Sequence, residues 1–156
     1  MILVLVGTNP YSFDRLVKAV DDYARANNEK VFIQLGYTKY EPKCAEYAQF
    51  LEKPALIKII EEAELVIAQG GFGGIADCLA LGKKVIAVPR KPGLGESPDD
   101  QEEIVRALEQ ENRLTGVYDI ADLEASIEKA RRLPVQSARE SRIPEIIDKF
   151  IASNTK

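Results

Sequence analysis

Leu65-Val-Ile-Ala-Gln-Gly-Gly-Phe-Gly-Gly-Ile-Ala-Asp77 is the stretch on which the fold turns. An apolar run enters four glycines within five residues and continues directly into Ile75-Ala-Asp-Cys-Leu-Ala-Leu81. This predicts a buried strand that passes through a tight turn into a helix. Glycines let backbone N–H groups approach a ligand closely, and the start of a helix carries about half a positive charge. Together they suit an anion, most naturally a phosphate or diphosphate. The plainer alternative is a glycine turn that serves only tight strand-to-helix packing.

Further short apolar runs occur at Ile2–Val6, Val31–Leu35, Cys44–Phe50, Lys84–Val88 and Gly116–Tyr118. They are rich in Val and Ile and mostly continuous, as expected of strands buried on both faces of a parallel sheet. Between them lie helix-period sets: Phe13, Leu16, Val17 and Val20; Leu56, Ile59 and Ile60; Ile104, Val105 and Leu108; Leu123 and Ile127. The alternation predicts one α/β domain with a doubly wound, mostly parallel sheet. Ile143, Ile146, Ile147, Phe150 and Ile151 predict a C-terminal amphipathic helix over about 143–152, packed on its own domain or on a partner subunit. Pro89-Arg-Lys-Pro-Gly-Leu-Gly-Glu-Ser-Pro98, with three prolines and two glycines after a strand, reads as a functional loop or a plain surface connection.

The composition narrows the chemistry. The 156 residues are 46% hydrophobic and 29% charged, with a net charge of −4. That balance argues against a nucleic-acid binder, which shows a basic patch. No apolar run approaches the roughly 20 residues of a membrane span. The two cysteines form no disulfide framework, and a cytoplasmic setting with free thiols is the economical expectation. The absence of histidine removes Ser-His-Asp and Cys-His machinery and histidine metal sites, and no metal or cofactor is expected.

Which nucleotide fits the turn is a separate question. Gly71-Phe-Gly-Gly-Ile-Ala76 matches the dinucleotide pattern G-x-G-x-x-A, and Arg90 after the next strand is placed to meet an NADP 2′-phosphate. Asp77, four residues past Gly73, is instead placed to reach a ribose diol; its plain reading is a solvated acid near a helix start.

Gln69-Gly-Gly-Phe-Gly-Gly-Ile-Ala-Asp77, Leu81-Gly-Lys-Lys-Val-Ile-Ala-Val-Pro89 and Asp99-Asp-Gln101 resemble the C-terminal half of a GT-B glycosyltransferase. Val6-Gly-Thr-Asn9, Phe13-Asp-Arg-Leu16 and Phe32-Ile-Gln-Leu-Gly-Tyr37 are similar to the small stand-alone subunits of exopolysaccharide and capsule synthesis. The catalytic subunit of the dolichyl-diphosphate GlcNAc transferase is a more distant relative. The resemblance implies the Rossmann-like half of a GT-B fold that binds a UDP-sugar. It also implies inverting transfer to a lipid-linked or polysaccharide hydroxyl, beside a membrane-associated acceptor-binding subunit that recruits the chain to the membrane. A non-catalytic accessory subunit is the alternative.

By the same resemblance, Gly70, Gly71, Gly73 and Gly74 cradle the diphosphate and Asp77 holds the ribose. Phe50 and Leu51 pack the uracil, Asp100 and Gln101 bind the donor sugar, and Thr8 and Asn9 face the donor across the cleft. The family often has histidine where this chain has Asn9, Gln69 and Asp100. Asn and Gln still hydrogen-bond to hydroxyls or phosphate oxygens, which keeps Gln69 among the implied substrate-binding residues, but they cannot transfer a proton near neutral pH. Glu96, Asp99 and Asp100 are therefore the local candidates for an acceptor base, with a partner residue as the alternative.

Overall fold

A computed structural model describes residues 1–135 of the chain. The C-terminal stripe from Ile143 to Ile151 lies outside the described residues.

Among the described residues six strands and five α-helices follow in the order β1 Ile2–Leu5, α1 Asp14–Asn27, β2 Val31–Gln34, β3 Glu46–Ala48, α2 Lys53–Glu62, β4 Leu65–Gln69, α3 Phe72–Ala80, β5 Lys84–Val88, α4 Glu102–Gln110, β6 Thr115–Gly116 and α5 Leu123–Arg132. The sheet order is β3-β2-β1-β4-β5-β6, and every pairing is parallel. This is the expected α/β architecture.

Continuous apolar strands follow from burial on both faces. Ile2, Val4 and Val6 of the first strand and its exit turn pack with Phe13, Leu16, Val17 and Val20 of α1 and with Leu123 and Ile127 of α5. Leu3 and Leu5 pack on the other face with Ile60, Ile75, Cys78, Ile104, Val105 and Leu108. The alternation inside β4 and β5 is the same: Ile67 and Ile86 serve the first core, Val66 and Val85 the second.

Two strand expectations need trimming. Only Glu46–Ala48 of the Cys44–Phe50 run pairs, at the sheet edge, because Asp21 of α1 draws the N–H groups of Lys43, Cys44 and Ala45 away from the ladder at 2.9 Å each. The last strand is Thr115–Gly116 rather than Gly116–Tyr118.

The order places the site. From β1 the chain runs outward to β3, then returns to lay β4 on the other side of β1. Connections diverge there, and a crevice opens beyond the carboxyl ends of β1 and β4, where open α/β sheets bind ligands. The glycine turn leaves β4 into that crevice, facing the Gly7 turn that leaves β1.

Candidate functional site

Gly71 is the extended N-cap of α3, so Phe72, Gly73 and Gly74 form the helix's first turn. No side chain caps that end, leaving backbone N–H groups directed to the crevice. The four glycines are not equivalent. A Cβ on Gly70 would stand 2.8 Å from Gln101 Cβ and 3.0 Å from the Pro89 backbone, so packing requires that glycine. A Cβ on Gly73 or Gly74 would meet nothing within 4 Å. Packing does not ask for those two, which leaves open space above the helix start.

The opposing turn is built as tightly. Gly7 has φ +81°, and a Cβ there would run into Gln69 Nε2. Buried Gln34 fixes this turn: its Oε1 accepts from Gly7 N–H at 2.9 Å, and its Nε2 donates to Gly7 O at 3.0 Å and Gln49 O at 3.2 Å. Sequence reasoning passed over Gln34, although one amide inside the apolar run Val31-Phe-Ile-Gln-Leu35 was a signal. Thr8 is exposed beyond the turn, and Asn9 Oδ1 accepts from Tyr11 N–H at 2.9 Å.

Asp77 stands on α3 one turn past the glycines, half-exposed, with Lys53 Nζ at 2.7 Å from its carboxylate. Lys53 opens α2, two residues after Leu51, so this ion pair joins the Phe50–Leu51 corner to the start of α3. Phe50 is 44% exposed, and its ring meets that of Tyr37 edge-to-face at 5.2 Å. Neither Tyr37 nor Lys53 carries a site role by sequence; only the β2 and α2 ends brought side by side reveal them.

The sequence matches the family model for the glycosyltransferase family 28 C-terminal domain over residues 1–152. The chain belongs to that family. No curated protein sequence matches it. Among solved structures this glycosyltransferase domain is similar to the glycosyltransferase of kitacinnamycin, at 15% identity and TM-score 0.60, over 97% of the domain and 39% of that chain. It is similar to the glycosyltransferase SnogD from Streptomyces nogalater, at 18% identity and TM-score 0.53, over 97% of the domain and 43% of that chain. The calicheamicin glycosyltransferase matches at 16% identity and TM-score 0.57, over 97% and 38%. These neighbours share its fold, and the domain spans about two fifths of their length.

In this glycosyltransferase domain the loop after β5 is clasped rather than free. Glu96 is 5% exposed and gives both carboxylate oxygens to Arg15 of α1, at 2.8 and 3.0 Å, and one also to Lys91 N–H at 2.8 Å. Among the three loop acids Glu96 is thus committed to structure, while Asp99 and Asp100 are exposed. Asp100 Oδ1 accepts from Glu102 N–H at 2.8 Å, an Asx turn just before α4. Gln101 meets the glycine turn directly, as its contact with Gly70 requires.

Arg90 departs from the dinucleotide expectation. It is fully buried beneath the turn, stacked 4.7 Å from the Phe13 ring, with its donors taken by Gln69 and by backbone carbonyls. Burial pulls its pKa down from 12.5 to about 10, against the pull of Glu96. It has no open face for a 2′-phosphate, so the NADP reading loses its second support.

A cavity of about 380 Å³ lies at the opposite edge, by the amino ends of β5 and β6, between Val85, Leu114, Ala130 and Leu133. Ligands of parallel sheets bind at the carboxyl ends, so this cavity is not the candidate site. No helix among the described residues is long and apolar enough to cross a membrane.

Proposed function

We propose that this chain is the donor-binding half of a two-component glycosyltransferase, moving a sugar from a UDP-sugar to a lipid-linked or polysaccharide hydroxyl. The uncapped, glycine-opened start of α3 at the sheet's switch point carries this reading. Gly70, Gly71, Gly73 and Gly74 bind the diphosphate through backbone N–H groups, and Asp77 holds the ribose diol. Phe50 and Leu51 cover the uracil, Asp100 and Gln101 take the donor sugar, and Thr8 and Asn9 close the crevice from β1. The departing nucleoside diphosphate is already an anion, so it needs electrostatic stabilisation rather than a general acid. A membrane-associated acceptor-binding subunit completes the enzyme. Asp99 and Asp100 are the local candidates for the acceptor base.

A second reading, a non-catalytic accessory subunit of such an enzyme, is favoured by the absence of histidine and by the engagement of Glu96 with Arg15. Titration with UDP tests the donor site: saturable binding that weakens in Asp77→Ala and Gly73→Val is expected, and its absence overturns the assignment. Reconstitution with the acceptor subunit separates the readings. Sugar transfer lost in Asp77→Ala supports the catalytic one, and transfer untouched by it supports the accessory one.

A further inference from the structure

Arg90 is the largest fully buried side chain among the described residues, and a charge is rarely kept in such a place without a task. Its Nε donates to Gln69 Oε1. Nη1 donates to Tyr11 O and Glu96 O at 2.9 Å each, and Nη2 to Val6 O at 3.0 Å. Its backbone N–H donates to Gln101 Oε1 at 3.0 Å. One residue therefore joins the ends of β1, β4 and β5 and the start of α4.

The consequence is directional. A guanidinium and a backbone N–H offer only donors, so each glutamine must turn its oxygen toward Arg90 and its NH2 group away. Both NH2 groups then point to the same place. A Cβ on Gly71, the N-cap of α3, would lie 3.2 Å from Gln69 Nε2 and 3.8 Å from Gln101 Nε2. Neither Nε2 has a hydrogen-bond partner among the described residues.

We propose that Arg90 is a positioning residue that locks the Gln69 and Gln101 amides with their NH2 groups converged on Gly71, where they bind the phosphate oxygens of a nucleoside diphosphate. The proposal rests on the donor-site reading above and adds a phosphate contact to the sugar-binding role of Gln101. Hydrogen bonds in series polarise one another, so the guanidinium behind Gln69 strengthens that amide as a donor. The arrangement supplies donors at neutral pH with no titrating group, which suits a chain without histidine.

The test titrates the full chain with UDP and with uridine, followed by ligand-detected NMR. Gln69→Glu still offers Arg90 an oxygen but places a second carboxylate oxygen where the NH2 stood. UDP affinity should fall by roughly tenfold or more, with uridine held within about twofold. Arg90→Lys keeps the cation and loses the Nε donor, and should show the same selective loss at a smaller size; if it fails to fold, Gln69→Glu carries the test. Undiminished UDP binding by Gln69→Glu, or equal losses of UDP and uridine, overturns the proposal. A wild-type chain that binds uridine but gains nothing from the diphosphate overturns the donor-site reading itself, and this proposal with it.

Discussion

Arg15 and Glu96, 81 positions apart, are joined by two parallel hydrogen bonds of 2.8 and 3.0 Å. The pair fastens the loop after β5 to α1, and Arg15 adds a bond to Pro89 O at 3.2 Å. Its side chains are 18% and 7% exposed, so removing one partner strands the other charge in a mostly buried place. Glu96→Gln should therefore cost on the order of 2–3 kcal/mol, read as a fall in Tm of roughly 5–10 °C. An unchanged melting curve would show that the clasp contributes nothing.

The glycines of α3 should separate stability from binding. Gly73→Ala and Gly74→Ala introduce a Cβ into open space at helical positions, so each should stabilise the fold by up to about 1 kcal/mol. The same methyl groups narrow the approach to the helix start, so UDP affinity should drop. Gly70→Ala should instead lower Tm, because its Cβ collides with Gln101 and Pro89. Differential scanning calorimetry and UDP titration on the three variants read both effects.

Asp21 predicts an acid-sensitive anchor. Burial by itself raises its pKa, but the N–H groups of Lys43, Ala45 and Cys44 and the Tyr40 hydroxyl outweigh it and hold the carboxyl below the ordinary 3.8. A carboxyl whose folded pKa is depressed stabilises the fold above its unfolded value, and that contribution is lost as pH falls through the folded value. Asp21→Asn should cost about 2–3 kcal/mol at neutral pH, and the gap to wild type should close once the pH drops well under 3.8. Urea melts at a series of pH values test this; a gap constant with pH would remove the charge from the argument.

The thiols should react very differently. Cys44 is exposed, whereas Cys78 is fully buried on α3 and its pKa is pushed up to about 12 by burial and by neighbouring Asp77. Only the thiolate reacts readily. An aromatic disulfide reagent should titrate one thiol in the folded protein and a second after denaturation. Rapid modification of both in the native state would contradict the packing of α3.

The layout of strands and helices was legible because it rests on local periodicity. Val66 and Ile67 face opposite cores, and a run apolar on both faces announces a parallel strand before any partner is known. The glycine turn after β4 was legible too, because its four glycines lie within five residues of one another. The loop from Pro89 to Pro98 could be recognised by composition, but not the uses of its residues. By sequence Arg90 suits a 2′-phosphate and Glu96 an acceptor base, and only the arrival of Phe13, Arg15 and the exits of β1 and β4 makes them interior groups.

Local sequence pattern thus sets the elements, their faces and the glycine turn that leads into α3, because propensity, glycine freedom and apolar spacing act over a few residues. Folding alone brings β4 beside β1, sets which glycines packing requires, and gathers Val6, Tyr11, Gln69 and Glu96 on the Arg90 guanidinium with Gln101 on its backbone N–H. Those outcomes depend on which apolar faces bury one another across the whole chain, and no local pattern encodes that pairing.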